Sequence, residues 1–196
     1  MSPHLISALT DLADSALILP LCMILAVGLW LLESRRMAGH FLLALLACLA
    51  TMTLLKLGFL SCGRALGSAV MSPSGHMSLS TFFFGALAAI VFARLPSPWR
   101  WLAPLTALGL AITIGVTRVM LGAHNPGEVV IGGLAGLATL AIFVWPYLKD
   151  RHPGRSLRPL LIALLPVFLL CYGSRLPAEE LLHRLIPHIQ PGACVV

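Results

Sequence analysis

His124 and Glu128 stand four residues apart in the stretch Ala123-His124-Asn125-Pro126-Gly127-Glu128. Residues at that spacing share one face of a helix, so the carboxylate can reach back to the imidazole. A carboxylate that takes the proton of one ring nitrogen fixes the tautomer and leaves the other nitrogen free to attack. Pro126, between them, suits the first turn of a helix. Taken alone, the pair reads as readily as a polar helix end facing headgroups. Three more groups have the same double character. Lys56 lies near the end of one apolar run, where a lone lysine could simply snorkel to the headgroups. The stretch Ser72-Pro73-Ser74-Gly75-His76 opens another run and is an ordinary helix start. Its backbone N–H groups at a positive dipole end also suit a phosphate. Arg118 closes a third run. Together they supply two cations, a helix N-terminus, a carboxylate-paired histidine and a second histidine. These are the parts of phosphoryl transfer: neutralised equatorial oxygens, an in-line attacking atom and a proton for the leaving oxygen.

The elements that must position these groups follow from composition. Of 196 residues, 59% are hydrophobic and 10% charged. Soluble domains carry about 25% charged residues, so a water-soluble globule of this length could not cover its surface. Extended secreted, collagen-like, nucleic-acid-binding and disordered classes are excluded on the same arithmetic. The net charge of +6 comes from 13 Lys and Arg scattered singly or in pairs between apolar runs. That pattern marks the ends of membrane helices, and the expected partner is the lipid bilayer, with no nucleic acid. A crossing needs roughly 20 apolar residues. Six runs qualify: Ser15 to Leu32, Phe41 to Leu60, Met77 to Ala93, Trp101 to Val116, Val129 to Leu148, and the short Pro159 to Tyr172. The expected fold is all-α, a six-transmembrane-helix bundle in a single membrane domain over 1–196, with its core at about 15–172.

The first run is expected to be a retained helix and not a cleaved signal. Asp11 and Asp14 precede it, and the first basic residue is Arg35. The tail from Pro177 to Gln190 places Leu181, Leu182, Leu185 and Ile186 at helical spacing. It reads as an amphipathic helix, either lying at the interface or capping the bundle. Arg35, Arg36, Arg94, Arg100, Lys149, Arg151, Arg155 and Arg158 fall on one side of a six-crossing chain, which is eight of the 13 basic residues. The positive-inside rule makes that side cytoplasmic. Both termini, and the groups named above, then face outward. Cys22, Cys48 and Cys171 lie in apolar runs, where a thiol behaves as a small hydrophobe. Cys62 and Cys194 lie outside them, and neither spacing nor context demands that they pair. No Cys-x-x-Cys occurs, so no thiolate metal site is expected. Gly132, Gly133 and Gly136 permit close helix approach, within the bundle or between two copies. The oligomeric state stays open.

The polar groups resemble the motifs of the type 2 phosphatidic acid phosphatase (PAP2) superfamily: Lys-x6-Arg-Pro, Pro-Ser-Gly-His and Ser-Arg-x5-His-x3-Asp. The second is complete as Pro73-Ser74-Gly75-His76. The third is present as Thr117-Arg118, His124 and Glu128 at matching spacing, with Thr for Ser and Glu for Asp. The first departs: after Lys56, Gly63 stands at the arginine position, Arg64 one place late, and Ala65 where a proline would follow. A one-residue slip can be absorbed in a loop, so Arg64 is either a phosphate ligand or a solvated arginine. The resemblance implies a metal-independent, cofactor-free lipid phosphatase. In it His124 attacks phosphorus to form a phosphohistidine, His76 protonates the leaving group, and Glu128 orients His124. Lys56, Arg118, Ser74, the Gly75 backbone N–H and Arg64 hold the phosphoryl oxygens. The implied substrate is a membrane-borne lipid phosphate or pyrophosphate. Undecaprenyl pyrophosphate, phosphatidylglycerophosphate, phosphatidic acid and a lipid A phosphate all fit. The implied location is a bacterial inner membrane with the site facing the periplasm. A lipid phosphotransferase using the same site, and a non-catalytic lipid-binding or transport relative, are the alternatives. The vanadium haloperoxidases share the constellation but are soluble, and fit this chain poorly.

Overall fold

The computed structural model describes residues 3–62, 70, 72–150 and 156–174, and side chains there except those of 3–5 and 61–62. Among the described residues the secondary structure is entirely helical. The helices are α1 (Pro3–Asp11), α2 (Ser15–Leu32), α3 (Arg35–Cys62), α4 (Gly75–Phe92), α5 (Leu102–Met120), α6 (Pro126–Lys149) and α7 (Arg158–Cys171). A single 3-10 turn, Trp99–Trp101, leads into α5. The chain is an all-α bundle whose long apolar helices suit a multi-pass membrane protein. Large apolar side chains such as Leu46, Leu54, Leu105 and Leu134 stand exposed along the helices. That arrangement is stable only where lipid covers them.

The six expected runs each became a helix, most with ends a few residues from those expected. The Phe41 run begins six residues earlier, at Arg35, because Ser34 caps it: the Met37 N–H donates to Ser34 Oγ at 3.2 Å. The polar first turn of Arg35 and Arg36 carries no hydropathy signal. Helix α7 has 14 residues, about 21 Å at the usual helical rise, whereas the hydrocarbon layer is about 30 Å thick. Among the described residues five stretches are long and apolar enough to cross, and α7 is a shorter apolar helix beside them. Helix α1 was not expected. It is joined to α2 through a short break at Asp14, whose carboxylate caps α2 by accepting the Ala16 N–H at 2.8 Å. The expected amphipathic tail at 177–190 lies outside the described residues, as do Cys194 and the side chain of Cys62.

Packing centres on α4, which lies between α5 and α6 and also touches α2 and α3. Two glycines of α6 bring it against the α4 backbone. A Cβ on Gly132 would sit 2.4 Å from the Ser74 carbonyl oxygen, and one on Gly136 would sit 2.5 Å from that of Ser78. Small residues let membrane helices gain dispersion contact that lipid tails would otherwise supply. Further along, Phe41 meets Phe82 and Phe143 at 5.4 Å between ring centroids, and Phe143 meets Tyr147 at 5.0 Å. At that same end Glu33 is ion-paired with Arg94 and accepts the Tyr147 hydroxyl at 3.1 Å. This buried cross-link ties the ends of α2, α4 and α6 at the face opposite Lys56, His76, Arg118 and His124. At the other face, the Thr10 hydroxyl donates to Thr117 Oγ1 at 2.9 Å, and Tyr172 donates to the Ala8 carbonyl at 3.0 Å. Helix α1 is thereby fastened to α5 and to the end of α7.

Candidate active site

The start of α6 is built from its own sequence. Asn125 is the N-cap, Pro126 follows at a position where a missing N–H costs nothing, and Glu128 completes a capping box. The Glu128 N–H donates to Asn125 Oδ1 at 2.9 Å, and the Asn125 N–H donates to Glu128 Oε2 at 3.1 Å. The same Oε2 lies 3.0 Å from His124 Nδ1. The carboxylate therefore holds both the helix start and the imidazole, and engages the nitrogen on its own side of the ring. The chain reaches this point through a tight reversal after α5. Gly122, at φ 65, takes the left-handed conformation that ends many helices, and the Ala123 and His124 N–H groups both donate to the Arg118 carbonyl.

Glu128 also reaches across the bundle. Its Oε1 accepts the Ser72 N–H at 2.9 Å, and its backbone carbonyl accepts the Ser74 N–H at 3.0 Å. One residue thus fixes the Ser72–His76 segment relative to His124. Ser74 is fully buried and is the N-cap of α4, accepting the Met77 N–H at 3.4 Å. Lys56 arrives from α3: a methyl placed on Gly75 would lie 3.7 Å from its Cε and 3.9 Å from its Nζ. The lysine is 8% exposed, too buried for a side chain that merely snorkels. Arg118, in the last turn of α5, is similarly buried.

The structure therefore brings Lys56, Ser74, Gly75, His76, Arg118, His124 and Glu128 to one end of the bundle. Arg64 lies outside the described residues. Sequence reasoning passed over three contributors. Asn125 and the Ser72 N–H serve Glu128 as described. Asp14, at the α1–α2 break, places its Oδ2 3.5 Å from His76 Nε2. Its signal was an acidic residue at the cap of an apolar run, which announces a helix start and nothing more. Chemically, the cluster offers cations for an anionic group, a polarised histidine and a second histidine beside it. Among the described residues no group of three or more His, Cys, Asp or Glu could hold a metal ion.

An apolar cavity of about 500 Å³ opens between α4, α5 and α6. It begins at Met77 and Gly133, passes Ala107 and Ala111, and ends at Phe92 and Trp101. From Met77 to Phe92 it follows α4 for about 22 Å.

A family model described as "PAP2 superfamily" matches residues 38–153. A Klebsiella pneumoniae protein described as "Uncharacterized 22.5 kDa protein in cps region" is 28% identical over 186 residues, covering 91% of this chain and 88% of that protein. No solved structure matches the chain.

Proposed function

The chain belongs to the PAP2 superfamily, and on that premise we propose that it is a lipid phosphatase. It would hydrolyse a membrane-borne phosphomonoester or diphosphate through a phosphohistidine on His124. Membership supports a phosphatase-type activity. The observation that carries the finer reading is the bond from Glu128 Oε2 to His124 Nδ1 at 3.0 Å. A histidine held in that way presents Nε2 as the nucleophile.

In the proposed cycle the phosphoryl oxygens lie against Lys56, Arg118 and the N–H groups opening α4. These groups neutralise charge as it spreads over the equatorial oxygens. Nε2 of His124 attacks phosphorus, and the ester oxygen departs with a proton from His76. Water then attacks the phosphohistidine as His76 takes its proton, the phosphorus–Nε2 bond breaks, and inorganic phosphate leaves with both histidines in their starting states. The lipid part of the substrate is supported by the apolar cavity, which starts at Met77, the residue after His76, and follows α4 for about 22 Å. Such a slot suits a hydrocarbon chain, which a soluble phosphate ester lacks. The excess of basic residues at the opposite end supports a site on the extracytoplasmic face, the periplasmic face of a bacterial inner membrane.

The test is phosphate release from a panel of lipid phosphates by purified protein in detergent, beside a His124→Ala variant. Wild type is expected to release phosphate and the variant only a background amount. Equal release by the two would remove the proposal. Activity is expected to survive a chelator, and a chelator-sensitive activity restored by a divalent ion would remove the metal-independent mechanism.

A further inference from the structure

Asp14 is 5% exposed, and its two carboxylate oxygens have different neighbours. Oδ1 accepts the Ala16 N–H at 2.8 Å, which completes the cap of α2. Oδ2 faces Nε2 of His76 at 3.5 Å. Capping alone needs one oxygen, and a serine, threonine or asparagine would serve. The second oxygen brings negative charge to an end of the bundle that also holds the buried Lys56 and Arg118. Lys56 stands against Gly75 from α3, and Arg118 closes α5 at the same end of the bundle. From α6, Glu128 is the nearby anion, and its carboxylate is committed to His124, Asn125 and Ser72. A protonated imidazole among those cations is disfavoured unless an opposite charge lies within a few ångströms.

We propose that Asp14 is a positioning residue for His76, holding its ring at the mouth of the site and keeping on it the proton that the leaving oxygen receives. The inference rests on the phosphatase reading above and assigns a residue outside the three motifs. It also gives α1 and the α1–α2 break a purpose: Thr10, bonded to Thr117 at 2.9 Å, anchors the turn that delivers Asp14.

Asp14→Asn separates the two roles of the carboxylate. Asparagine caps a helix as well as aspartate does, but the group it turns towards Nε2 is a neutral N–H donor. That donor prefers a ring with no proton at Nε2. A general acid matters for a poor leaving group and little for a good one. The experiment measures kcat/KM in detergent for octyl phosphate, whose alkoxide is a poor leaving group unless protonated, and for 4-nitrophenyl phosphate, whose phenolate leaves readily. Asp14→Asn is expected to lower the octyl value roughly tenfold to a hundredfold and the nitrophenyl value less than about threefold. The ratio is taken within one preparation, so any loss of folded protein cancels. In a His76→Ala background, Asp14→Asn is expected to have no further effect, since it acts only through the histidine. Equal loss on both substrates, no loss on either, or further loss in the His76→Ala background would overturn the inference while leaving the phosphatase reading intact. Absence of any turnover by wild type would overturn both.

Discussion

Gly132→Ala adds one methyl group in the tightest part of the bundle. The new Cβ would stand 2.4 Å from the Ser74 carbonyl oxygen, 3.2 Å from the Ser74 carbonyl carbon and 3.3 Å from its nitrogen. All three are backbone atoms, so no side chain can rotate away. A carbon rests against a carbonyl oxygen at about 3.3 Å, so α4 and α6 must part there by about 0.9 Å. Overpacking of this kind costs about 1–3 kcal/mol. The consequence for rate is larger, because the displaced backbone is the start of α4. Ser74 donates to the Glu128 carbonyl at 3.0 Å, and Gly75 and His76 follow it directly. A misplacement of about 1 Å among reacting groups can cost about a hundredfold. The expected result is a lowered melting temperature in detergent and a fall of about ten- to a hundredfold in kcat/KM per folded molecule. Gly39→Ala, in α3 with nothing within 4 Å of the added methyl, is the control and should leave both unchanged. A Gly132→Ala protein that melts and turns over like wild type would refute the close-packing argument. One that is destabilised yet fully active per folded molecule would refute the link between this contact and the site.

Other substitutions probe single contacts. Glu128→Gln keeps the shape of the capping box but turns an N–H donor towards either Ser72 N–H or His124. It should lower kcat by about 10³- to 10⁴-fold, read by phosphate release, with unchanged secondary structure by circular dichroism. Glu33→Gln weakens the buried contact with Arg94 and Tyr147 at the opposite end. It should cost about 3–5 kcal/mol of stability by detergent melting while leaving activity per folded molecule unchanged, because no bond described connects that end to His124.

Local features of this chain were readable because local physics decides them. A bilayer demands about 20 apolar residues per crossing, so composition and run length announced the long helices. Four-residue spacing and Pro126 announced the His124–Glu128 pair, because His124 directly precedes the Asn125 cap of the helix whose first turn holds Glu128. Where local signals are weak, the reading thinned. Helix α1 has nine residues, too few for a hydropathy run, and is held by Thr10 and by the Tyr172 hydroxyl bonded to Ala8. The polar first turn of α3 was missed for a similar reason: a cap at Ser34 starts it, outside the apolar stretch.

By itself, then, the sequence determined an all-helical membrane chain and a motif set whose charges gather at helix ends. Tertiary structure alone decided how those ends meet. Nothing in the one-dimensional pattern says that Glu128 takes the Ser72 N–H, 56 residues away in the chain, or that Lys56 stands over Gly75. It is equally silent on Asp14, which in the sequence is only an acidic residue before an apolar run and in space faces His76. These pairings depend on which helix faces touch and how closely. Here that is set by Gly132 and Gly136, where a side chain no larger than hydrogen lets α6 lie against the backbone of α4.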